Sequence, residues 1–147
     1  MTSEQEHKIS TVDAALVPYV WPRVEPILSR ALVRSNDRID RKSQFDSLIN
    51  GTDHLWVITK GDEIVATVIL QIATYPTGIK MLLCLFCAGK DFALWGDDLH
   101  EKLVSFAAEN NCKGMELTGR KGWTRLLRQW NWETEYTVFR KDIDYGN

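Results

Sequence analysis

Residues 113–132, KGMELTGRKGWTRLLRQWNW, decide how the rest of the chain is read. Gly114 to Leu117 reads as a short strand. The glycine-punctuated turn Thr118-Gly119-Arg120-Lys121-Gly122 follows, and then a compact helix. Trp123, Leu126, Leu127 and Trp130 fall at i, i+3, i+4 and i+7 and make one apolar stripe. Lys121, Arg125 and Arg128 make a basic stripe on another face. Asn131 tolerates a left-handed conformation and is placed to end the helix before Trp132. A strand that runs through a tight turn into a helix aims backbone N–H groups beyond the strand end, which is where ligands bind.

Upstream, residues 91–110 read as a helix, with Trp95, Leu99, Leu103, Phe106 and Ala107 at helical spacing. Gly96 costs that helix propensity, which leaves Asp97 as an alternative start. Residues 79–88 are apolar at nearly every position, as in a central strand covered on both faces. Strand, helix and strand with one crossover is a βαβ unit, so this strand and Gly114 to Leu117 should be parallel. Residues 55–59 and 64–73 are strand-like, with Lys60-Gly61-Asp62-Glu63 as the hairpin turn between them. Tyr75-Pro76-Thr77-Gly78 is a second reverse turn.

Nearer the start, residues 21–33 read as a helix with Val24, Ile27, Leu28 and Ala31 in one stripe. Pro22 suits its first turn and Pro26 implies a kink. The charged segment 34–41 leads to a short helix at 43–49, with Phe45, Leu48 and Ile49 inward and Gly51 after its end. Residues 1–10 are polar and expected to fray, and 11–19 are short and ambiguous. Residues 135–143 alternate as a strand, with Tyr136, Val138 and Arg140 on one face and Thr137, Phe139 and Lys141 on the other. The order is α-α-β-β-β-α-β-α-β in a mixed sheet with helices on both sides.

The 147 residues fit a single domain with a sizeable core, and 44% hydrophobic with 26% charged residues is an ordinary globular composition. A net charge of −2 argues against a dedicated nucleic-acid binder. Most of the six tryptophans are expected to pack in or beside the core. Cys84, Cys87 and Cys112 have no framework spacing. Cys84 and Cys87 stand at i and i+3 of the apolar strand, so their thiols should face opposite ways and share no metal, as free thiols of a reducing cytoplasm. No signal peptide and no run of membrane-spanning length is expected. His7, His54 and His100 are scattered and form no catalytic constellation.

That element order, with WVITKGDEIVATVIL as the hairpin and GRKGWTRLLRQWNWE as the last helix and its exit, resembles the GNAT N-acetyltransferase fold over roughly residues 20–143. More narrowly, it resembles small GNAT-like proteins of bacteriophages and prophages. The resemblance implies a mostly antiparallel α/β (α+β) sheet beginning with a weak first strand near 12–19. It implies acetyl-CoA as cofactor, its pantetheine arm laid along the fourth strand, here 79–88. Its pyrophosphate would lie at the following loop, which assigns Phe86, Cys87, Ala88, Gly89, Lys90, Asp91 and Phe92 to the cofactor. The family's loop is richer in glycine; here Gly89 and then Gly96 are the only ones, and Asp91, Asp97 and Asp98 add negative charge.

The tyrosine that many members carry near the end of the last helix corresponds to Leu127, with Asn131 and Trp132 at the family's glycine and following aromatic. Leucine does no proton chemistry. Glu116 is the candidate general base, acting through water, or it merely alternates outward between Met115 and Leu117. Tyr75 and Tyr136 are further acids without spacing to support them. Arg120, Trp123, Arg125 and Arg128 form a substrate or partner surface, with three readings open: a solvated face, a grip on a CoA phosphate, or a dock for an acidic protein. The resemblance thus implies an N-acetyltransferase acting on an amine of a protein or small molecule, in the cytoplasm of a host cell. The alternative is a non-catalytic virion component or interaction module on the same fold.

Overall fold

Alternation along the hairpin strands sends successive side chains to opposite faces, and each face meets its own helices. The computed structural model describes residues 6–35 and 37–146, so the expectation for residues 1–5 lies outside it. The chain divides into the units Met1–Leu117 and Thr118–Asn147. The first holds a five-stranded sheet of order β1-β2-β3-β4-β5. Its strands are β1 (His7–Val12), β2 (Asp53–Lys60), β3 (Glu63–Thr74), β4 (Lys80–Gly89) and β5 (Gly114–Leu117). Neighbours are antiparallel except β4 and β5, which the crossover helix α3 (Phe92–Glu109) makes parallel as expected. Two helices precede β2: α1 (Val17–Val33) and α2 (Arg41–Ile49).

One core lies between the sheet and α3, where Trp56, Ile58, Val68, Leu70 and Leu82 meet Trp95, Leu99 and Leu103. The other lies under α1 and α2, where Leu55, Val57, Ile69 and Phe86 meet Val24, Leu28 and Leu48. Each wholly buried leucine or isoleucine here stabilises the fold by roughly 1.5–3 kcal/mol. A polar bond crosses the second interface: the buried Asp53 carboxylate accepts from Gln44 of α2 and Gln71 of β3, each at 2.8 Å. Trp56 and Trp95 are buried and the other four tryptophans half-buried, in line with a packing role.

Several boundaries differ from those read in the sequence. His7–Val12 is a paired strand and not a frayed start; Ile9 supplies apolar contact on one face and Val12 on the other. The first strand therefore ends where the sequence reading began it, at Val12. α1 begins at Val17, with proline in its opening turn, and continues through Pro22 and Pro26. Pro18, Pro22 and Pro26 recur every four residues and are all exposed. The carbonyls that lose an N–H partner to proline thus face solvent, where water can satisfy them. α2 starts at Arg41 because Asp40 and Ser43 cap each other reciprocally. Ile49 is 42% exposed, and the inward positions are Gln44 and Leu48. β4 is central, but Leu82 and Phe86 are its only buried side chains and most others are half-buried.

Two glycines are fixed by contact. Gly89 has φ +139°, and a Cβ there would lie 2.4 Å from Ala66 and from the Val65 carbonyl. Gly96 lies inside α3, which runs unbroken from Phe92, and a Cβ there would lie 2.6 Å from the Phe92 ring. The helix accepts a glycine at that point because the ring covers it.

In the second unit, α4 (Gly122–Arg128) carries the expected half-buried stripe of Trp123, Leu126 and Leu127 and ends through Asn131 at φ 64°. The strand expected at 135–143 is not formed: the segment has no ladder partner among the described residues, and Tyr136, Val138 and Phe139 are exposed. Alternation supplies two faces, but a strand also needs a neighbour. Among the described residues no helix is long and apolar enough to cross a membrane.

Replacing Gly89 by alanine should destabilise the protein by about 3 kcal/mol or more, since strained φ and backbone overlap add. Gly96→Ala should cost about 1 kcal/mol or less, because the Phe92 ring edge can swing aside and alanine restores helix propensity. Urea midpoints of the two variants check this; equal losses would contradict the assignment of a backbone clash to Gly89 alone.

Candidate functional site

β4 is hydrogen-bonded to β3 along its whole length but to β5 only from Met81, opposite Gly114, to Cys84, opposite Leu117. β5 ends there. From Leu85 to Gly89 the far edge of β4 has no strand partner among the described residues. The same point carries an irregularity: Ile69 pairs with Phe86 and Leu70 with Cys84, so Leu85 is an extra residue. A bulge of this kind bends its strand and strengthens the local twist, parting β4 from β5. Leu85 and Phe86 consequently both pack toward α1 and α2. The result is a fork, one arm of which is an open row of backbone donors and acceptors beside half-buried side chains.

The bulge also corrects the reading of the cysteines. With an extra residue between them, Cys84 and Cys87 both pack on the α3 side and do not face opposite ways. Burial pushes the Cys84 thiol up to about 12, and burial followed by the neighbouring Cys84 pushes Cys87 up as well. Both are therefore inert, protonated packing groups. Among the described residues no group of three or more His, Cys, Asp or Glu is placed to hold a metal.

Beyond the fork, Gly89 uses its missing side chain to pass Val65 and Ala66. Lys90 donates its N–H to the Val65 carbonyl at 3.1 Å, its carbonyl accepts from the Trp95 indole at 2.9 Å, and its ammonium lies 3.3 Å from Glu63. Asp91 is left-handed (φ 65°) at the N-cap of α3, its carboxylate 3.8 Å from His7 of β1. The link between β4 and α3 is thus a tight connection whose lysine is already committed to a carboxylate. The anion-attracting element it leaves is the first turn of α3, where Phe92 is half-buried and Ala93 exposed.

At the other end of the fork, Glu116 stands opposite Leu83 on β5, one residue before the strands part. Met115 packs toward α3, so Glu116 points to the α1–α2 side. There it meets Tyr75, whose hydroxyl donates to both carboxylate oxygens, at 3.1 and 3.0 Å. The β3–β4 turn positions Tyr75: its carbonyl accepts from Gly78 and its N–H donates to Ile79, each at 2.8 Å, with Gly78 at φ 88°. Glu116 does alternate outward from Met115, but it alternates onto a partner. No spacing recommends Tyr75 in the sequence, since the pair is 41 residues apart.

Glu116 and the Gly89–Phe92 link lie toward opposite ends of β4, about 20 Å apart at the usual rise per residue. Arg120, Arg125 and Arg128 are exposed in the second unit and Trp123 is half-buried. The Leu127 carbonyl accepts from the Trp130 and Trp132 N–H groups. His100 is half-buried on α3, and burial holds its pKa below the usual histidine range.

Solved structures share this arrangement. An aminoglycoside acetyltransferase from an uncultured soil metagenomic sample superposes with a TM-score of 0.69 at 13% identity, covering 94% of this chain and 97% of its own. The fold here is the GNAT acetyltransferase fold. A predicted acetyltransferase from Clostridium acetobutylicum, solved with acetyl-CoA, gives 0.68 at 14% identity, covering 92% of this chain and 96% of its own. The ribosomal-protein-alanine N-acetyltransferase of Brucella melitensis gives 0.68 at 13%, covering 94% and 99%. No protein-family model matches the sequence, and no curated protein matches it. The GNAT fold accounts for the splayed fourth and fifth strands and for the helices on both faces.

Raised thiol pKa values stabilise the fold while the thiols stay protonated. That contribution is whole below the unfolded value near 9.0 and is lost as pH climbs toward about 12. At about pH 8 a disulfide reagent should therefore label Cys84 and Cys87 orders of magnitude more slowly in the native protein than in urea. Rapid native labelling, read by mass spectrometry of the modified peptides, would contradict their burial.

Proposed function

We propose that the chain is an acetyl-CoA-dependent N-acetyltransferase acting on an amine. The observation that carries this is the fork: β4 bulged at Leu85, parted from β5 after Cys84, its edge open from Leu85 to Gly89. An extended chain bearing amides, such as the pantetheine arm, can hydrogen-bond to such an edge as an added strand does. The backbone fits that arm. At the phosphate end the fit rests on the first turn of α3, because Lys90 is paired with Glu63 and the connection is short.

Acetyl-CoA, when bound, supplies an acetyl thioester. The chain's own part is to lay that group along the fork and to aim backbone N–H groups of β4 at its carbonyl oxygen, where charge develops during attack. Glu116, beside the point where the strands part, takes the proton the amine must lose. The amine nitrogen forms the new bond to the acetyl carbon, the carbon–sulfur bond breaks, and the departing thiolate takes a proton from water. No tyrosine replaces Leu127 in α4, so α4 contributes no acid at that position.

Calorimetry of the full chain with acetyl-CoA should show binding, and the melting temperature should rise with ligand concentration. A ligand at a hundredfold excess over Kd stabilises the native state by about 2.7 kcal/mol. No heat and no thermal shift at millimolar ligand would overturn the proposal and leave the fold as a non-catalytic interaction module.

A further inference from the structure

We propose that the groove between α1 and α2 is a binding site for an arylcarboxylate, a flat aromatic body with an anionic tail; this stands independently of the acetyl-transfer reading. The groove holds about 440 Å³ and is lined by Trp21, Pro22 and Glu25 of α1 and by Arg41, Lys42 and Phe45 of α2. That volume lies within the roughly 300–1,000 Å³ usual for small-molecule sites. α1 lies over β3 and β4 and α2 over β2. The groove between them therefore stands toward the β2 side of the sheet, away from the β5 edge.

The apolar part of the lining suits a ring. Trp21 and Phe45 are half-buried, and both join the core beneath the two helices, so their rings are held from below. They meet edge to face, with centroids 5.2 Å apart and planes at 61°, an arrangement that aromatic pairs prefer. A third ring can extend such a pair, and Pro22, exposed beside it, adds an apolar wall. Among the described residues the Trp21 indole N–H has no acceptor, and its nitrogen is not among the buried unpaired atoms. A donor that indoles usually satisfy within the protein is here available to an oxygen of the ligand.

The polar part sets the sign of the tail. Arg41 and Lys42 are cations, and Glu25 is the one carboxylate of the lining. Glu25 is already engaged: it accepts from Arg41 Nη1 at 3.1 Å, with its side chain 25% exposed. That bond uses one of the five N–H donors of the guanidinium. Lys42 is 88% exposed, and its 3.1 Å pair with Asp46 of the same helix is a weak surface pair that a better-placed anion can displace. Both cations stand in the first turn of α2, whose positive end adds to theirs, and the Asp40 carboxylate there is taken up by the Ser43 N–H. A cationic ring would face two like charges, and a neutral one would leave the rim unused. A carboxylate on an aromatic body matches both halves of the groove and gains charge-assisted hydrogen bonds from Lys42 and Arg41.

The test titrates the full chain with three probes of similar shape, followed by NMR: 2-naphthoate, its neutral amide, and the cation 2-naphthylmethylammonium. The naphthoate should shift the Trp21 indole N–H signal, assigned through Trp21→Phe, and the backbone amides of residues 41–45. The amide should bind about tenfold more weakly, the difference between a charge-assisted contact and a neutral one, and the cation more weakly still. Lys42→Gln, at an exposed position, should weaken the naphthoate several-fold and leave the amide unchanged. Lys102→Gln removes a matching exposed lysine, paired with Asp98 on α3, and should change neither. Equal affinity for naphthoate and amide, an unmoved Trp21 indole, shifts confined to residues 85–89 and 114–117, or an equal loss in the two lysine variants would overturn the proposal. If Trp21→Phe does not fold, the indole is assigned by through-bond correlation in the parent, and the same outcomes decide.

Discussion

The backbone ladder between β3 and β4 is the constraint on which the rest depends. It runs the full length of β4, whereas the ladder to β5 stops at Cys84, and the extra residue Leu85 sits where the second ladder ends. A strand held on one side and released on the other bends at the bulge, and that bend makes the fork. The tight end of the same strand is held as firmly, by Gly89 pressed against Val65 and Ala66 and by the Lys90 N–H on the Val65 carbonyl. α3 is thereby launched from a fixed point. Its packing on the sheet through Trp95, Leu99 and Leu103 closes the crossover that brings β5 back beside Met81.

Much of this architecture was legible because it rests on local chemistry. Gly61 at φ 61° makes the tight hairpin between β2 and β3, and Pro76 with Gly78 makes the next turn. The helical period of α3 gave the crossover and hence the parallel pair. β1 was not legible. Lys8, Ser10 and Thr11 dilute its apolar signal, and it is a strand because β2 offers an edge, from His7 opposite Lys60 to Val12 opposite Leu55. The expected last strand failed in the converse way: its alternation was clear, but among the described residues it has no ladder partner. Pro22 and Pro26 masked the true length of α1, since a proline rule applied one residue at a time does not see that Pro18, Pro22 and Pro26 share an exposed face.

The site was less legible than the fold, because it depends on register. Nothing in MLLCLFCA announces that Leu85 will be skipped by the ladder, yet that single residue opens the fork and turns Cys84 and Cys87 to the same side. Glu116 was found as a carboxylate near a strand end, from its own neighbourhood. Tyr75 was legible only as an acid without a partner, since its link to Glu116 exists only once β3, β4 and β5 lie side by side. Lys90 was the reverse case. As a residue type it suited a phosphate, but the returning hairpin places Glu63 3.3 Å from its ammonium.

The carboxylate of Asp53 accepts from Gln44 on one oxygen and from Gln71 on the other, so the joint between α2 and the sheet is built from two donors and one group that only accepts. Asparagine has the same shape but brings an NH2 of its own, which one of the two glutamine amides would have to turn over to accept. Leucine would leave both glutamine amides unsatisfied. Position 53 is consequently tied to its two partners: a change there has to be met by a turn of, or a change at, Gln44 or Gln71. In distant sequences of this shape, these three positions should vary together or not at all.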